Sequence, residues 1–375
     1  MADVVVVGGG AIGCATAYYL AREGASVTLL ERGELGSGAT GAAAGMLAAL
    51  SDEGGDRGAA FQSLCLDSLA LYESVLAALA PTGIDLRYGR AGVLHLALDD
   101  AEATGLRRRY EAQKPLAPAS RWLGAGEIAA VEPGASGKAV AALLSPDEHY
   151  LDPQRLVLAW AAAARGEGVQ IETQAPLRRF LRRGERLRGV VAGDCVDVVY
   201  EADAVVIAAG AWTAALAQRL GVAIPVRPVR GQMLSLAGPA PPLRHVIWGA
   251  AGYLVPREAG QTFVGATVED AGFRARTTAA GEAGLRRAAA ALAPALKDAP
   301  LRRAWSGLRP ASKDGLPIMG TLPGWSNAWV AAGHFRNGIL LAPISGQLMA
   351  KSVRAGRPDE RLAPFAPSRF LDSDQ

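Results

Sequence analysis

A chain of 375 residues, half of them apolar and a fifth charged, with a formal net charge of only +3, has the composition of a packed globular protein rather than a disordered one. Its arginines alternate with acidic residues or form short runs such as Arg107-Arg108-Arg109, without interleaved aromatics, which argues against nucleic-acid binding. Cys14, Cys65 and Cys195 are odd in number and far apart, so neither a disulfide framework nor a zinc site is expected.

The length exceeds that of one ordinary domain, and two domains are expected. Asp3 stands where the positive part of a signal peptide would lie, and the apolar run 4–7 is too short for its core. No run is read as reaching the roughly 20 apolar residues of a membrane span. A cytoplasmic protein with reduced thiols is the expectation.

Taken in chain order, Asp3–Val7 is a run of β-branched residues, expected for a parallel strand buried on both faces. A glycine turn follows, then Ile12, Ala15, Tyr19 and Leu20 at helical spacing, with Gly24 as the stop. Ser26–Leu30 reads as the second strand. Residues 61–80 form an amphipathic helix closed by Pro81, and 87–98 alternates as strands do. Residues 99–145 mix helical and loop signals. Residues 153–165 are helical. Strands are expected at 169–173, 187–192, 196–200 and 204–208. Residues 226–268 are strand-rich, 281–296 helical, Ala328–Ala332 a last buried strand, and 338–354 a last helix. The tail from Pro358 reads as a surface strap. These pieces interleave, which implies two discontinuous domains with a cleft between them.

The turn Gly8-Gly9-Gly10-Ala11-Ile12-Gly13 carries the first chemistry. Gly8 permits the tight turn, Gly10 the approach of backbone to a pyrophosphate, and Gly13 close packing of helix on strand. Glu31 follows Gly13 by 18 residues, at the end of the second strand, where a carboxylate can accept from ribose hydroxyls. Strand, turn, helix, strand and acid in this order point to a dinucleotide. A second glycine pattern, Gly124-Ala125-Gly126-Glu127-Ile128-Ala129, has no apolar strand before it and reads as chance. One dinucleotide site argues for a substrate that itself reduces a flavin, not for a nicotinamide that does so. The small residues of 37–46 suit a segment running beneath a flat cofactor.

Two C-terminal motifs are more specific. One is Trp305-Ser306-Gly307-Leu308-Arg309-Pro310 with Lys313-Asp314-Gly315-Leu316-Pro317. The other is Gly333-His334-Phe335-Arg336-Asn337-Gly338-Ile339-Leu340-Leu341-Ala342-Pro343. The second joins a buried strand to a helix whose N-terminus can stabilise the charge of a reduced flavin. Together with Pro228-Val229-Arg230-Gly231-Gln232-Met233, Tyr253-Leu254-Val255-Pro256-Arg257 and Val264-Gly265-Ala266-Thr267, they resemble the glycine oxidases of thiamine biosynthesis. These are members of the D-amino-acid-oxidase-like family of FAD amine oxidases, and the similarity runs from about residue 3 to 370.

The resemblance implies an α/β fold in which an FAD-binding Rossmann-like domain (1–85, 146–225 and 305–375) is interleaved with a strand-rich substrate domain of antiparallel sheet and helices (86–145 and 226–304). It implies non-covalent FAD, oxidation of a small amino acid with molecular oxygen as acceptor, and no metal; a homo-oligomer is left open. Arg309 matches the arginine that grips the substrate carboxylate, Tyr253 a tyrosine that joins it, and Arg336 a second substrate contact. Ala11, Ile12, Glu31, Arg32, Ala39, Thr40, Ala44, Gly45 and Met46 match FAD contacts. So do His334, Phe335, Arg336, Asn337, Gly338, Ile339 and Leu340, and Leu177 matches one at the adenine end. Ala251 and Val268 depart from the family pattern, where a histidine and a methionine stand. His95, His149 and His245 read as incidental, and Cys14 as a small core residue. D-amino-acid dehydrogenases and secondary-amine oxidases such as those acting on sarcosine are the neighbouring readings, and a flavin-binding scaffold without turnover is the non-enzymatic one.

Overall fold

The computed structural model describes residues 3–50 and 58–371. Asp3–Val7 lies at the centre of a six-stranded sheet. The order across that sheet is Ile318–Thr321, Ala328–Ala332, Ala204–Ile207, Asp3–Val7, Ser26–Leu30, Gln170–Glu172. All pairs are parallel except the first. The reason is in the sequence: the valines alternate between two cores, and each is buried. Val4 and Val6 pack with the helices Ala11–Arg22, Pro153–Gly166 and Ala342–Ala355. Val5 and Val7 pack with Leu187, Val190 and Ala192 of a three-stranded antiparallel sheet on the opposite side. Each such valine contributes about 1.5–3 kcal/mol through burial. Helix Ala11–Arg22 touches helix Ala342–Ala355 closely because position 346 is glycine. A Cβ there would lie 2.9 Å from the Ala15 carbonyl oxygen.

An eight-stranded sheet forms the second layer, in the order Leu301–Ser312, Val226–Ala237, Gln261–Gly265, Gly252–Arg257, Val246–Gly249, Val93–Ala97, Ala141–Ser145, Arg121–Gly124. It is antiparallel apart from Val246–Gly249 against Val93–Ala97. Leu285, Ala288, Ala289 and Leu292 of the helix Ala279–Leu292 are buried, and Leu285, Ala289 and Leu292 share a core with Leu234, Leu254 and Val264. Leu301–Ser312 is paired with Val226–Ala237 from Ser312 to Leu301, so the chain leaves this sheet only after Ser312. The mixed α/β architecture expected from the sequence is what folds.

Three expectations are corrected and one strand is added. Leu177–Arg183 is a strand that was not expected: it holds four arginines, and its apolar residues 177, 180 and 181 do not alternate. The last helix begins at Ala342, four residues later than expected, with a turn over 338–341 before it. The tail is no surface strap: Leu362 and Phe365 lie in the main core, 0% and 1% exposed. Finally, Gly58–Thr82 is long and apolar enough by composition to cross a membrane. Here Phe61, Leu64, Tyr72 and Val75 of that segment pack into the protein core instead.

That helix also bonds to the turn over 338–341. Ser68 Oγ donates to the Leu340 carbonyl (2.6 Å), and Tyr72 Oη donates to the Ile339 carbonyl. Both donors are buried. Replacing Tyr72 with Phe leaves a buried acceptor unpaired and should lower stability by about 1–2 kcal/mol, read as a shift in the denaturant midpoint at unchanged slope.

Candidate active site

A cavity of about 560 Å³ opens between the two sheets, within the ~300–1,000 Å³ of ligand pockets. Its floor is the glycine turn. Gly8 has φ +118°, and a Cβ on it would lie 2.4 Å from the Ala208 carbonyl oxygen. A Cβ on Gly13 would lie 1.8 Å from the Gly8 carbonyl oxygen, so helix and strand can meet only without side chains there. Gly10 is the extended N-cap of helix Ala11–Arg22. Thr40 Oγ1 accepts from the Ala11 amide (3.1 Å), which leaves the other first-turn amides for an anion. Glu31 accepts from the Gly9 amide (2.7 Å) and the Gly33 amide (2.9 Å) and faces the same cavity.

Gly8, Gly10, Ala11, Ile12, Glu31, Arg32, Ala39, Thr40, Ala44, Gly45 and Met46 all line this space, and Leu177 closes one end with Ala175 and Pro176. At the other end stand His334, Phe335, Arg336, Asn337, Gly338 and Ile339. Two named residues are not part of the lining. Gly13 acts from behind, through Gly8, and Leu340 is buried with its carbonyl turned to Ser68. Phe335 has φ +47°, a left-handed conformation costly for a bulky residue, and is held by its amide bond to the Pro310 carbonyl (3.0 Å). His334 bonds Ser345 Oγ through Nε2 (3.0 Å), and burial pushes its pKa down to about 3. It is a neutral structural group, not a base working near neutrality.

Arg309 reaches the cavity from the strand Leu301–Ser312. Its guanidinium lies over Gly231: a Cβ at 231 would be 2.4 Å from the guanidinium carbon. Nη1 donates to the Thr267 carbonyl (2.9 Å). Burial lowers its pKa, Tyr253 raises it and Arg336 lowers it again, but a guanidinium stays charged throughout. Among the described residues no carboxylate pairs with it. Tyr253 is buried beside it, with Oη directed at Met233 Sδ (3.3 Å). Burial raises the phenol pKa against the lowering effect of Arg309 and Arg336, so the O–H remains a donor. Arg336 is exposed, with its guanidinium 5.5 Å from the Trp248 ring centre. Ala251 and Val268 line the cavity too, Val268 being 62% exposed.

The glycine cradle, the free first-turn amides and the Glu31 carboxylate facing the same cavity fit a dinucleotide, and the segment 334–339 closes the other end. The sequence profile of the FAD dependent oxidoreductase family (DAO) matches residues 3–352. The chain belongs to this family. Its relatives include a glycine oxidase of Geobacillus kaustophilus, 36% identical over 98% of this chain and 97% of that protein. The crystal structure of glycine oxidase from Geobacillus kaustophilus superposes with a TM-score of 0.91, covering 98% of this chain and 99% of the other at 34% identity. The bifunctional protein ThiO/ThiG of Trichormus variabilis is 36% identical over 98% of this chain, which spans 55% of that longer protein. Membership makes the dinucleotide FAD and the protein an FAD-dependent oxidoreductase.

Several members of the site were not read from the sequence. Trp212 lines the cavity, with the Arg32 guanidinium 3.6 Å from its ring centre. Its signal was the run Ala208-Ala209-Gly210 at the carboxyl end of a buried parallel strand, where such sheets place ligands. Trp248 and Met233 back Tyr253, and His95, read as incidental, stacks on Trp248 at 5.4 Å. Nothing in the local pattern at 95 or 248 marks them. The chance glycine pattern at 124–129 runs from the end of the edge strand Arg121–Gly124 into the short helix Ala125–Val131, and none of its residues lines the cavity.

Gly231→Ala drives a methyl into the Arg309 guanidinium. It should weaken binding of a carboxylate inhibitor such as acetate by about tenfold while FAD content, read from the visible spectrum, is unchanged. A second outcome follows from His334. Below its ordinary 6.5 the unfolded imidazole takes a proton that the folded one refuses down to about 3. Stability is therefore lost as pH falls through this window, by about 1.4 kcal/mol per pH unit. His334→Asn should remove one such slope from denaturation midpoints measured between pH 6 and 4.

Proposed function

We propose that this chain oxidises glycine or a similarly small amino acid at its C–N bond, releasing an imine that hydrolyses to an oxo acid and ammonia, with oxygen reduced to hydrogen peroxide. The observation that carries this reading is Arg309: a half-buried cation facing the cavity with no carboxylate partner among the described residues. A substrate carboxylate supplies that partner, and the planar fork of the guanidinium can take it bidentately. FAD, when bound, supplies the electron sink for the hydride equivalent leaving the α-carbon and the route for those electrons to oxygen.

The chain's own residues then position and exclude. Arg309 and the Tyr253 hydroxyl hold the carboxylate, which fixes where the α-carbon points. Arg336 adds positive potential at the mouth. Among the described lining residues Glu31 is the only carboxylate, and it is committed to the Gly9 and Gly33 amides at the nucleotide end. His334 is neutral and bonded to Ser345. No described lining side chain is thus placed as a base, and the amine enters in its neutral form. The six-stranded layer holds the cofactor and the eight-stranded layer the substrate, with Arg309 carried by the latter. The likeness to ThiO/ThiG supports a role for the oxidised product in making the thiazole of thiamine.

A second reading, oxidation of an N-methyl or other secondary amine such as sarcosine, is favoured by one observation. The wall beside Tyr253 is Ala250, Ala251, Ala266 and Val268, apolar and without a side chain to hold a primary amine. Anaerobic titration with glycine, sarcosine and several D-amino acids decides between them by which bleaches the flavin at the lowest concentration. Peroxide yield in air separates an oxidase from a dehydrogenase. Arg309→Ala should lower kcat/KM by the equivalent of about 2–4 kcal/mol, mostly through KM. Near-normal glycine kinetics in that variant would refute the carboxylate anchor.

A further inference from the structure

The carbonyl that holds Arg309 is itself held. Thr267 belongs to the irregular segment 266–278, which joins the strand Gln261–Gly265 to the helix Ala279–Leu292. Both ends of that segment are fastened to one residue, Gln232, of the strand that pairs with the Arg309 strand. The Gln232 amide donates to Thr267 Oγ1 (2.9 Å), and the Thr267 amide donates to the Gln232 carbonyl (3.3 Å). The Thr278 amide donates to Gln232 Oε1 (2.7 Å), while Gln232 Nε2 donates to Thr278 Oγ1 (3.0 Å). Gln232 is 1% exposed.

Glu269 closes the arrangement. One of its oxygens accepts from Gln232 Nε2 (2.7 Å) and from the Thr267 hydroxyl; the other accepts from Arg230. The Arg230 and Glu269 backbones also exchange both amide bonds, at 2.9 and 3.0 Å. Arg230 is buried, and the following residue is Gly231, on which the Arg309 guanidinium lies. The carboxylate thus does two things. It neutralises a buried cation one residue from the guanidinium contact, and it fixes the hydroxyl of the residue whose carbonyl receives Arg309 Nη1.

We infer that Glu269 and Thr267 are positioning residues for the carboxylate anchor, holding the Arg309 guanidinium ready through the Thr267 carbonyl. The inference rests on the oxidase reading above. A long side chain with many rotamers loses that freedom when it grips a ligand, unless the protein has already ordered it. Here the ordering comes from a carboxylate spent on Arg230, so Arg309 is aligned without being neutralised. Weakening the network should therefore appear in ground-state binding of any carboxylate, not in the rate of the bound complex.

The test uses the FAD-loaded enzyme as wild type, Glu269→Ala, Glu269→Gln, Thr267→Val and Thr267→Ser. Acetate binding is followed by perturbation of the flavin absorbance, beside KM and kcat for glycine. Glu269→Ala and Thr267→Val should raise both the acetate Kd and the glycine KM about tenfold, with kcat held within about threefold. Glu269→Gln should fall between these and wild type, and Thr267→Ser should restore both constants to within about twofold of wild type. An acetate Kd unchanged in Glu269→Ala or Thr267→Val at full flavin content overturns the inference, and so does a loss confined to kcat. If Glu269→Ala fails to hold flavin, the Thr267→Val and Thr267→Ser pair decides alone. A wild type that neither binds acetate nor oxidises glycine overturns the oxidase reading and this inference with it. A wild type that does both, with variants unaffected, overturns this inference only.

Discussion

A guanidinium half-buried between two sheets, with no carboxylate partner among the described residues, is the constraint around which the cavity is organised. Even partial burial of an unpaired charge is costly. Arg309 can be held there because Gly231 leaves room for it, Tyr253 and the Thr267 carbonyl supply dipoles rather than charge, and the nearby carboxylate is committed to Arg230. The strand that carries it is paired along its whole length, so the charge sits on a rigid element.

The nucleotide half of the molecule was legible because its signals are local. A β-branched run, a glycine turn and an acid at the end of the next strand each follow from backbone geometry between Asp3 and Glu31, and the six-stranded sheet bears this out. The strand Leu177–Arg183 was not legible. Its arginines face solvent, and its apolar residues at 177, 180 and 181 do not alternate, since the pairing with the next strand shifts register. The last helix was read too early because Gly338, Ile339 and Leu340 look helical beside Leu341, whereas the chain first turns and then starts its helix at Ala342-Pro343.

The site divides in the same way. Arg309, Tyr253 and the 334–339 segment came from motifs, and the cavity brings them together. What surrounds them did not. Glu269, Gln232 and Thr278 are separated by up to 46 positions, and their bonds depend on how an irregular segment folds back on a strand. Trp248 and His95 meet through a parallel pairing between strands about 150 residues apart, which no short-range pattern encodes. Side chains that touch the ligand leave motifs. Those that hold them in place are scattered, and only the tertiary structure collects them.

The bonds from Ser68 and Tyr72 to the Leu340 and Ile339 carbonyls reach further than the packing of one helix. A peptide unit is rigid and planar, so pinning the Ile339 and Leu340 oxygens toward the helix also fixes the turn itself, in which the Leu341 amide donates to the Asn337 carbonyl. Asn337, Gly338 and Ile339 of the cavity wall are thereby hinged to a helix none of whose described residues lines the cavity. A change in that helix is felt at the wall as a displaced turn.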